Sequence, residues 1–342
     1  MADIRIQELM DFLSSRFPLA WQEEYDNCGL QVGDPQAIVR GLLTCLDTTE
    51  AVLEEAISVG ANVIVSHHPI LFQPLKKLSG HKPVERILLK AVRQNLAIIA
   101  MHTNMDNALE QGVNEGLGKR LGLQQMVILQ PKNDLLAKVT LNLSHAEFKV
   151  LFPALESLQP ASLVFLPGES EAYPGQAAIS LFRDQLPTLR RLVGNLFGET
   201  PFLSVAPLLG SSPRVGAGMI GYLPQQMAPD QFFSWLRERL PVKVVRHTRI
   251  CRDTISKVAI CGGSGSFLLQ EAMAAGADIF VSADFKYHQF QEADDRIIIA
   301  DIGHYESEEG VISQLSEIIS GKFPTFAVRS TSVCTNFVVY NP

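Results

Sequence analysis

Three short stretches hold the side chains best suited to chemistry: Val65-Ser66-His67-His68-Pro69, Met101-His102-Thr103-Asn104-Met105-Asp106 and Ile302-Gly303-His304-Tyr305-Glu306-Ser307-Glu308. Imidazole and carboxylate together are ligands for divalent ions. The spacing His102-x3-Asp106 recurs as His304-x3-Glu308, with both members 202 residues apart. A one-turn separation sets each pair on the same side of a helical start. Adjacent residues leaving a strand point to opposite sides, and Pro69 holds His68 extended, so His67 and His68 are expected to serve two ions rather than one. If Glu308 bridges, then His67, His68, Asp106, His304 and Glu308 supply three bonds to each of two divalent ions. Positions then stay open for a water or hydroxide, as hydrolytic two-metal centres require. Two such ions against two carboxylates leave about +2 locally, which would attract a phosphate-bearing ligand.

A single histidine after a strand is more often hydrogen-bonded or solvated than a ligand, and His81, His145, His247 and His288 are read that way. The metal reading rests on the combination of His-His-Pro with two carboxylate-paired histidines at equal spacing. His102 has three open roles: a sixth ligand, a residue supporting the ligands, or a general acid/base with an ordinary pKa near 6.5. Mixed imidazole and carboxylate ligation suits Zn, Fe, Mn, Co or Ni. Gly262-Gly263-Ser264-Gly265-Ser266 could hold an anion on its backbone N–H groups, although a lone glycine turn is more often a tight βα connection. Asp284 and Lys286 are expected to line the same cleft.

The elements that must position these residues alternate. Strands are predicted at Val39–Leu46, Ala61–Ser66 and Leu96–Met101, with helices after Thr48-Thr49-Glu50, over Val84–Gln94 behind Pro83, and over Leu109–Leu121. That order implies a parallel sheet with right-handed crossovers, and all three clusters then fall at carboxyl ends of strands, where open α/β sheets bind ligands. The order returns as strand Lys257–Cys261, helix Phe267–Ala275, strands Ala277–Ser282 and Arg296–Ile302, helix Glu308–Ile319 and strand Thr325–Ser330. Leu53–Ser66 and Leu269–Ser282 are identical at seven of fourteen positions without a gap, where unrelated segments share about one. Shared helix and strand preferences are the competing account; an internal duplication explains the match better.

Between the halves lies a segment of different order: strand Lys138–Leu143, helix Ala146–Leu158, strands Ser162–Leu166 and Ala177–Phe182, helix Leu186–Phe197 and strand Phe202–Leu209. This β-α-β-β-α-β order is ferredoxin-like. Its flanks, Gln130–Asn133 and Gly210–Pro213, are polar and turn-rich like domain joints. The fold class is therefore α/β: a duplicated core of two related halves with mostly parallel sheets, residues 1–133 and 214–342, plus an inserted ferredoxin-like α+β domain, residues 134–213. A helix over Gln231–Leu240, capped by Asp230, precedes the second repeat.

The remaining composition excludes more than it selects. The 342 residues are 46% hydrophobic and 19% charged, as in globular proteins. No apolar run approaches the roughly 18 residues needed to span a bilayer, and the first residues lack an apolar signal core. A cytoplasmic location without membrane partners is expected. The net charge of −7, with no dense Lys/Arg block, argues against nucleic acid as a main partner. Five cysteines without C-x-x-C argue against a disulfide framework or a thiolate zinc site.

The set Tyr25-Asp26-Asn27-Cys28-Gly29-Leu30-Gln31-Val32-Gly33, Ser66-His67-His68-Pro69, His102-Thr103-Asn104-Met105-Asp106, Cys261–Ser266, Asp284-Phe285-Lys286-Tyr287-His288, Gly303–Glu308 and Thr335-Asn336 resembles the NGG-interacting-factor-three-like (Nif-three-like) dinuclear metal-centre family, also known as GTP cyclohydrolase I type 2 homologues. The resemblance covers roughly residues 1–130 and 216–342, and departs from the family where Tyr25 stands in place of its frequent Trp. It implies two related α/β halves holding two metal ions on His67, His68, Asp106, His304 and Glu308, a ring-shaped homohexamer, and in some members an insertion of similar order related to PII or CutA-type domains. It also implies a metal-dependent hydrolase acting on GTP or another nucleotide-like phosphate, with His102 moving protons. A non-catalytic regulatory or metal-binding scaffold is the alternative.

Overall fold

The computed structural model describes residues 3–168, 174–198 and 203–341. The chain divides into one unit built from Met1–Gln130 with Arg214–Pro342 and another from Pro131–Pro213. In chain order the strands are β1 Gly29–Val32, β2 Gly41–Cys45, β3 Val63–Ser66, β4 Ala97–Ala100, β5 Gln124–Asn133, β6 Leu136–Leu143, β7 Ser162–Leu166, β8 Gly175–Phe182, β9 Leu203–Pro207, β10 Ser211–Met227, β11 Arg246–His247, β12 Ile255–Ser264, β13 Ile279–Ala283, β14 Ile298–Asp301 and β15 Ala327–Ser330.

In the first unit one sheet has the order β1-β4-β3-β2-β15 and the other β11-β14-β13-β12-β10-β5. In both, an antiparallel edge strand (β1, β11) flanks three parallel strands (β4-β3-β2, β14-β13-β12). The parallel strands are continuous apolar runs because both faces are covered. Val258, Ile260, Ile279, Val281 and Ile298 pack to one side, and the alternating Ala259, Cys261, Phe280 and Ile299 to the other. In the first sheet Leu43, Cys45, Ile64 and Ile98 join the helix residues Val52, Leu53, Ala56, Ile87 and Ala91 in one core.

Local chemistry sets the helix limits. Thr49 Oγ1 accepts from Val52 N at the start of helix Glu50–Ser58, and Pro83 occupies the first turn of helix Pro83–Arg93, which ends with Lys90 and Arg93. The helix expected over Glu308–Ile319 is two helices, His304–Glu308 and Gly310–Lys322. The earlier start sets His304 and Glu308 one turn apart. Asp230 does not cap its helix: Pro229–Arg239 starts after Ala228, whose N–H donates to Gln231 Oε1 at 3.2 Å, and Asp230 lies in the first turn.

Two sequence expectations shift. The flanks read as turns are strand, since Gln130–Asn133 closes β5 and Ser211–Pro213 opens β10. The strand expected to close a second repeat, β15, pairs in parallel with β2 of the first sheet, Val328 opposite Leu42. Within Pro131–Pro213 a four-stranded antiparallel sheet of order β7-β8-β6-β9 accompanies helices His145–Ser157 and Leu186–Phe197, around Val139, Leu141, Leu151, Ile179 and Val193. Phe202, expected to open β9, lies outside the described residues. Among the described residues no helix is long and apolar enough to cross a membrane.

Candidate metal centre

His67, His68, His102, Asp106, His304 and Glu308 converge on one cluster in the first unit. His67 and His68 leave β3, His102 follows β4 and precedes the short helix Thr103–Asp106, and helix His304–Glu308 follows β14. Three groups of ligand atoms lie within 4.8 Å of one another: His67, Asp106 and Glu308; His68, His304 and Glu308; His67, His68 and His102. Glu308 belongs to two of them. Its Oε1 faces His67 Nε2 at 3.9 Å, while its Oε2 lies 3.1 Å from both His68 Nε2 and His304 Nε2. His67 Nε2 lies 3.5 Å from Asp106 Oδ1, and His68 Nε2 lies 3.3 Å from His304 Nε2.

Each of the four imidazoles is held from behind through Nδ1. His67 Nδ1 meets Met101 O at 2.7 Å, His68 Nδ1 meets Asp47 Oδ1 at 2.8 Å, His102 Nδ1 meets Asp26 Oδ1 at 2.8 Å and His304 Nδ1 meets Asp284 Oδ2 at 2.6 Å. A partner on Nδ1 fixes the ring and turns Nε2 to the centre, the arrangement that metal-ligating histidines use. The buried atoms His67 Nε2 and Asp106 Oδ1 have no hydrogen-bond partner. Orphaned buried polar atoms are costly, and a cation between them would satisfy both. The donor set thus fits divalent ions.

Electrostatics divide the cluster. Burial drives His67 down to about 3, so its ring is neutral and Nε2 keeps a lone pair. Burial also opposes charge on His68 and His304, but Asp47 with Glu308 and Asp284 with Glu308 outweigh it and raise them to about 9 and about 11. Burial pushes Asp106 up, whereas hydrogen bonds from His304 and His68 overcome burial at Glu308 and hold it well below the usual carboxylate range. Asp26, despite burial, is lowered by His102 and Thr103.

Residues 4–336 match the family model described as Duf34/NIF3 (NGG1p interacting factor 3). The chain belongs to the Duf34/NIF3 family. It is 29% identical to the GTP cyclohydrolase 1 type 2 homolog of Staphylococcus epidermidis over 360 residues, covering 95% of this chain and 97% of that one. The homolog of the same name from Halalkalibacterium halodurans is 28% identical, with coverages of 93% and 94%. Among solved structures, a Bacillus cereus protein related to NIF3 aligns with TM-score 0.86 at 28% identity, and a Staphylococcus aureus protein with TM-score 0.82 at 28%; both cover 100% of each chain.

In this Duf34/NIF3 chain the sequence reading missed Asp47 altogether and Asp26 as a support. Asp47 follows β2 as the clusters follow β3 and β4, so strand-end position was the available signal. Thr335 Oγ1 donates to Asp47 Oδ2 at 2.9 Å and Asn336 Nδ2 to Glu306 Oε1 at 2.9 Å, which ties the C-terminal segment to the centre. Neither Asp284 nor Lys286 is among the residues lining the cleft, since Asp284 supports His304 from behind and Lys286 is exposed. The glycine turn packs on the ligands: Gly262 N donates to Asn114 Oδ1 and Gly263 N to Ser307 Oγ, both at 2.9 Å. Gly263 has φ +60, and a Cβ there would lie 2.3 Å from Glu308 Oε1. Glycine is required for the carboxylate to sit where it does.

Proposed function

We propose that this chain is a two-metal hydrolase acting on a nucleotide-like phosphate. The observation that carries the reading is Glu308, whose two oxygens face two separate groups, His67 with Asp106 and His68 with His304. His67, Asp106 and Glu308 would hold one divalent ion, and His68, His304 and Glu308 the other. Zn, Fe, Mn, Co and Ni all suit this set. When bound, such ions supply Lewis acidity and lower the pKa of a water. The protein's own part is to hold Nε2 of each imidazole inward through Asp47, Asp284 and the Met101 carbonyl, and to keep His102, fixed by Asp26, at the edge of the cluster for proton transfer. Its relatives' name, GTP cyclohydrolase 1 type 2 homolog, supports GTP as the first substrate to try.

Charge refines how such a substrate would be captured. Counting Asp26, Asp47 and Asp284, the formal sum with two divalent ions falls from about +2 to about −1. Long-range attraction of phosphate would thus be weak, and capture would depend on the ions that His67, His68, Asp106, His304 and Glu308 would hold.

The same reading takes the core as two duplicated halves, supported by the repeated strand order of the two sheets and by the match of Leu53–Ser66 with Leu269–Ser282. It takes 134–213 as a ferredoxin-like insertion, supported by its β-α-β-β-α-β order and the sheet order β7-β8-β6-β9. A cytoplasmic homohexamer goes with family membership and with five free cysteines. The deciding experiment counts metal per chain and follows GTP turnover in wild type and Glu308→Ala. Two ions per chain with metal-dependent turnover that the variant lacks supports the hydrolase. Full occupancy without turnover across nucleotides and phosphoesters favours a scaffold, and no bound metal after reconstitution with several divalent ions removes the site.

A further inference from the structure

The cleft that contains the metal cluster, about 740 Å³, has a polar floor and an aromatic mouth. Tyr25, Phe72 and Phe267 line it while remaining 65%, 47% and 60% exposed. One exposed aromatic is ordinary, but three around a single polar-floored cavity match the layout of small-molecule sites, apolar walls with a few convergent polar groups. Tyr25 and Phe72 form a pair with centroids 6.2 Å apart and planes tilted by 57°. Phe72 also meets His102 edge to face at 6.2 Å, so the aromatic surface runs directly into the cluster.

The pair is built rather than loose. Asn27 Nδ2 donates to Leu71 O at 2.7 Å and to Gln31 Oε1 at 3.2 Å, and Leu71 N donates to the same Gln31 Oε1 at 3.3 Å. These bonds bind the loop that carries Tyr25 to the loop that carries Phe72. Asp26, next to Tyr25, grips His102 Nδ1 and Thr103 N. The aromatic faces are thereby held in register with the metal ligands, which lowers the ordering cost of binding a rigid group. A tilted pair of π-faces rewards a planar ring beyond the area it buries, whereas an aliphatic group gains the area alone.

We propose that Tyr25 and Phe72 are the ring-binding, specificity-determining element of this site, selecting phosphate-bearing substrates that carry a planar aromatic ring over those that do not. The proposal rests on the phosphate-hydrolase reading but is tested by binding. Metal-loaded wild type, Tyr25→Ala, Phe72→Ala and Phe72→Leu are titrated calorimetrically with GMP and with ribose 5-phosphate, with metal content and oligomeric state measured for each. Stacking on an aromatic side chain is worth about ten-fold or more. Wild type is expected to bind GMP at least about ten-fold tighter than ribose 5-phosphate. Each alanine variant should lose most of that ratio and keep its ribose 5-phosphate affinity within about two-fold and its metal unchanged. Phe72→Leu, which keeps apolar bulk without a ring, should fall with the alanine variants.

Equal affinity for both probes in wild type, absence of GMP binding, or a ratio unchanged in the variants would overturn the assignment. So would a shift to smaller oligomers with the ratio intact, because the pair would then cover a second copy of the chain. A collapsed ratio in variants of a protein that turns over no phosphate leaves the ring element standing and removes the hydrolase.

Discussion

The carboxyl ends of the two sheets are built alike and loaded differently. Beyond β3 stand His67 and His68; at the corresponding offset of 216 residues, Ala283 ends β13 and Asp284 stands just beyond it. His102 and Asp106 correspond to His304 and Glu308, and in both sheets the first of these has its Nδ1 on an aspartate, Asp26 or Asp284. The position that faces the cluster in one sheet, His68, is matched at that offset in the other by a support behind a ligand, Asp284. Its conformation suits a short side chain: Asp284 has φ 60, a left-handed backbone that short polar side chains tolerate. The first sheet supplies three of the four imidazoles and Asp106, and the other supplies His304 and the carboxylate shared between the two groups. An unequal pair can build a centre with distinct ion positions that an exact repeat could not.

Glu308→Ala attacks that division most directly. Because both groups share Glu308, the variant is expected to lose affinity at both positions, on the order of 100-fold or more, whereas His304→Ala should spare the His67–Asp106 position. Metal content after dialysis at graded free ion concentrations separates the two. Loss of a single ion in Glu308→Ala would break the sharing on which the comparison rests.

Gly263→Ala tests whether the second sheet must leave room for that carboxylate. The added methyl would meet Glu308 Oε1 at 2.3 Å and His304 Cε1 at 3.2 Å in a backbone with φ +60. Strain of this kind costs about 1–3 kcal/mol, so a Tm several degrees lower is expected together with reduced metal binding. In contrast, Gly276→Ala, at φ +71 with nothing near its Cβ, should lower Tm without touching metal content. Equal metal loss in both variants would mean that general destabilisation, and not the fit against Glu308, is responsible.

The residues legible in sequence were those that came in pairs. His102 with Asp106 and His304 with Glu308 announced themselves by equal spacing, and His67-His68 by adjacency to Pro69 and a strand end. Asp47 offered only its strand-end position, because a lone aspartate there has no partner nearby in sequence; its partners, His68 and Thr335, are 21 and 288 residues away. The parallel strands were legible as buried apolar runs. The edge strands β1, β5 and β11 were not: Gln130-Pro131-Lys132-Asn133 has the composition of a turn, yet it closes β5, since pairing with a neighbour overrides a weak local preference. The crossing of β15 to the first sheet is likewise a long-range pairing that no local pattern encodes. The N-terminal helix Ile6–Arg16 was passed over although its buried Ile6, Leu9 and Leu13 have helical spacing.

The supporting aspartates offer a finer contrast between the sheets. Replacing a carboxylate that orients a metal-bound histidine typically costs about 10- to 100-fold in metal affinity. Asp284 is exposed, whereas Asp47 is partly buried and is itself held by Thr335. Solvent screens the exposed pair more strongly. Asp47→Asn is therefore expected toward the upper end of that range and Asp284→Asn toward the lower, measured as competition with a chelating dye. The reverse order would show that exposure does not rank the two supports.

The smallest effect expected lies one bond further out. Thr335→Val keeps the shape of the side chain and removes the hydroxyl that donates to Asp47 Oδ2 at 2.9 Å. A hydrogen bond to a charged group contributes about 1.5–3 kcal/mol net; only the part transmitted through Asp47 to His68 reaches the ion, so the variant should bind metal about five-fold more weakly, with its fold intact. In an Asp47→Asn background the same substitution should add less than it does alone, because the charged acceptor it served has gone. Additivity in that double variant would place Thr335 outside the path from the C-terminal segment through Asp47 to His68, and would leave the first sheet's ligands supported by Asp47 alone.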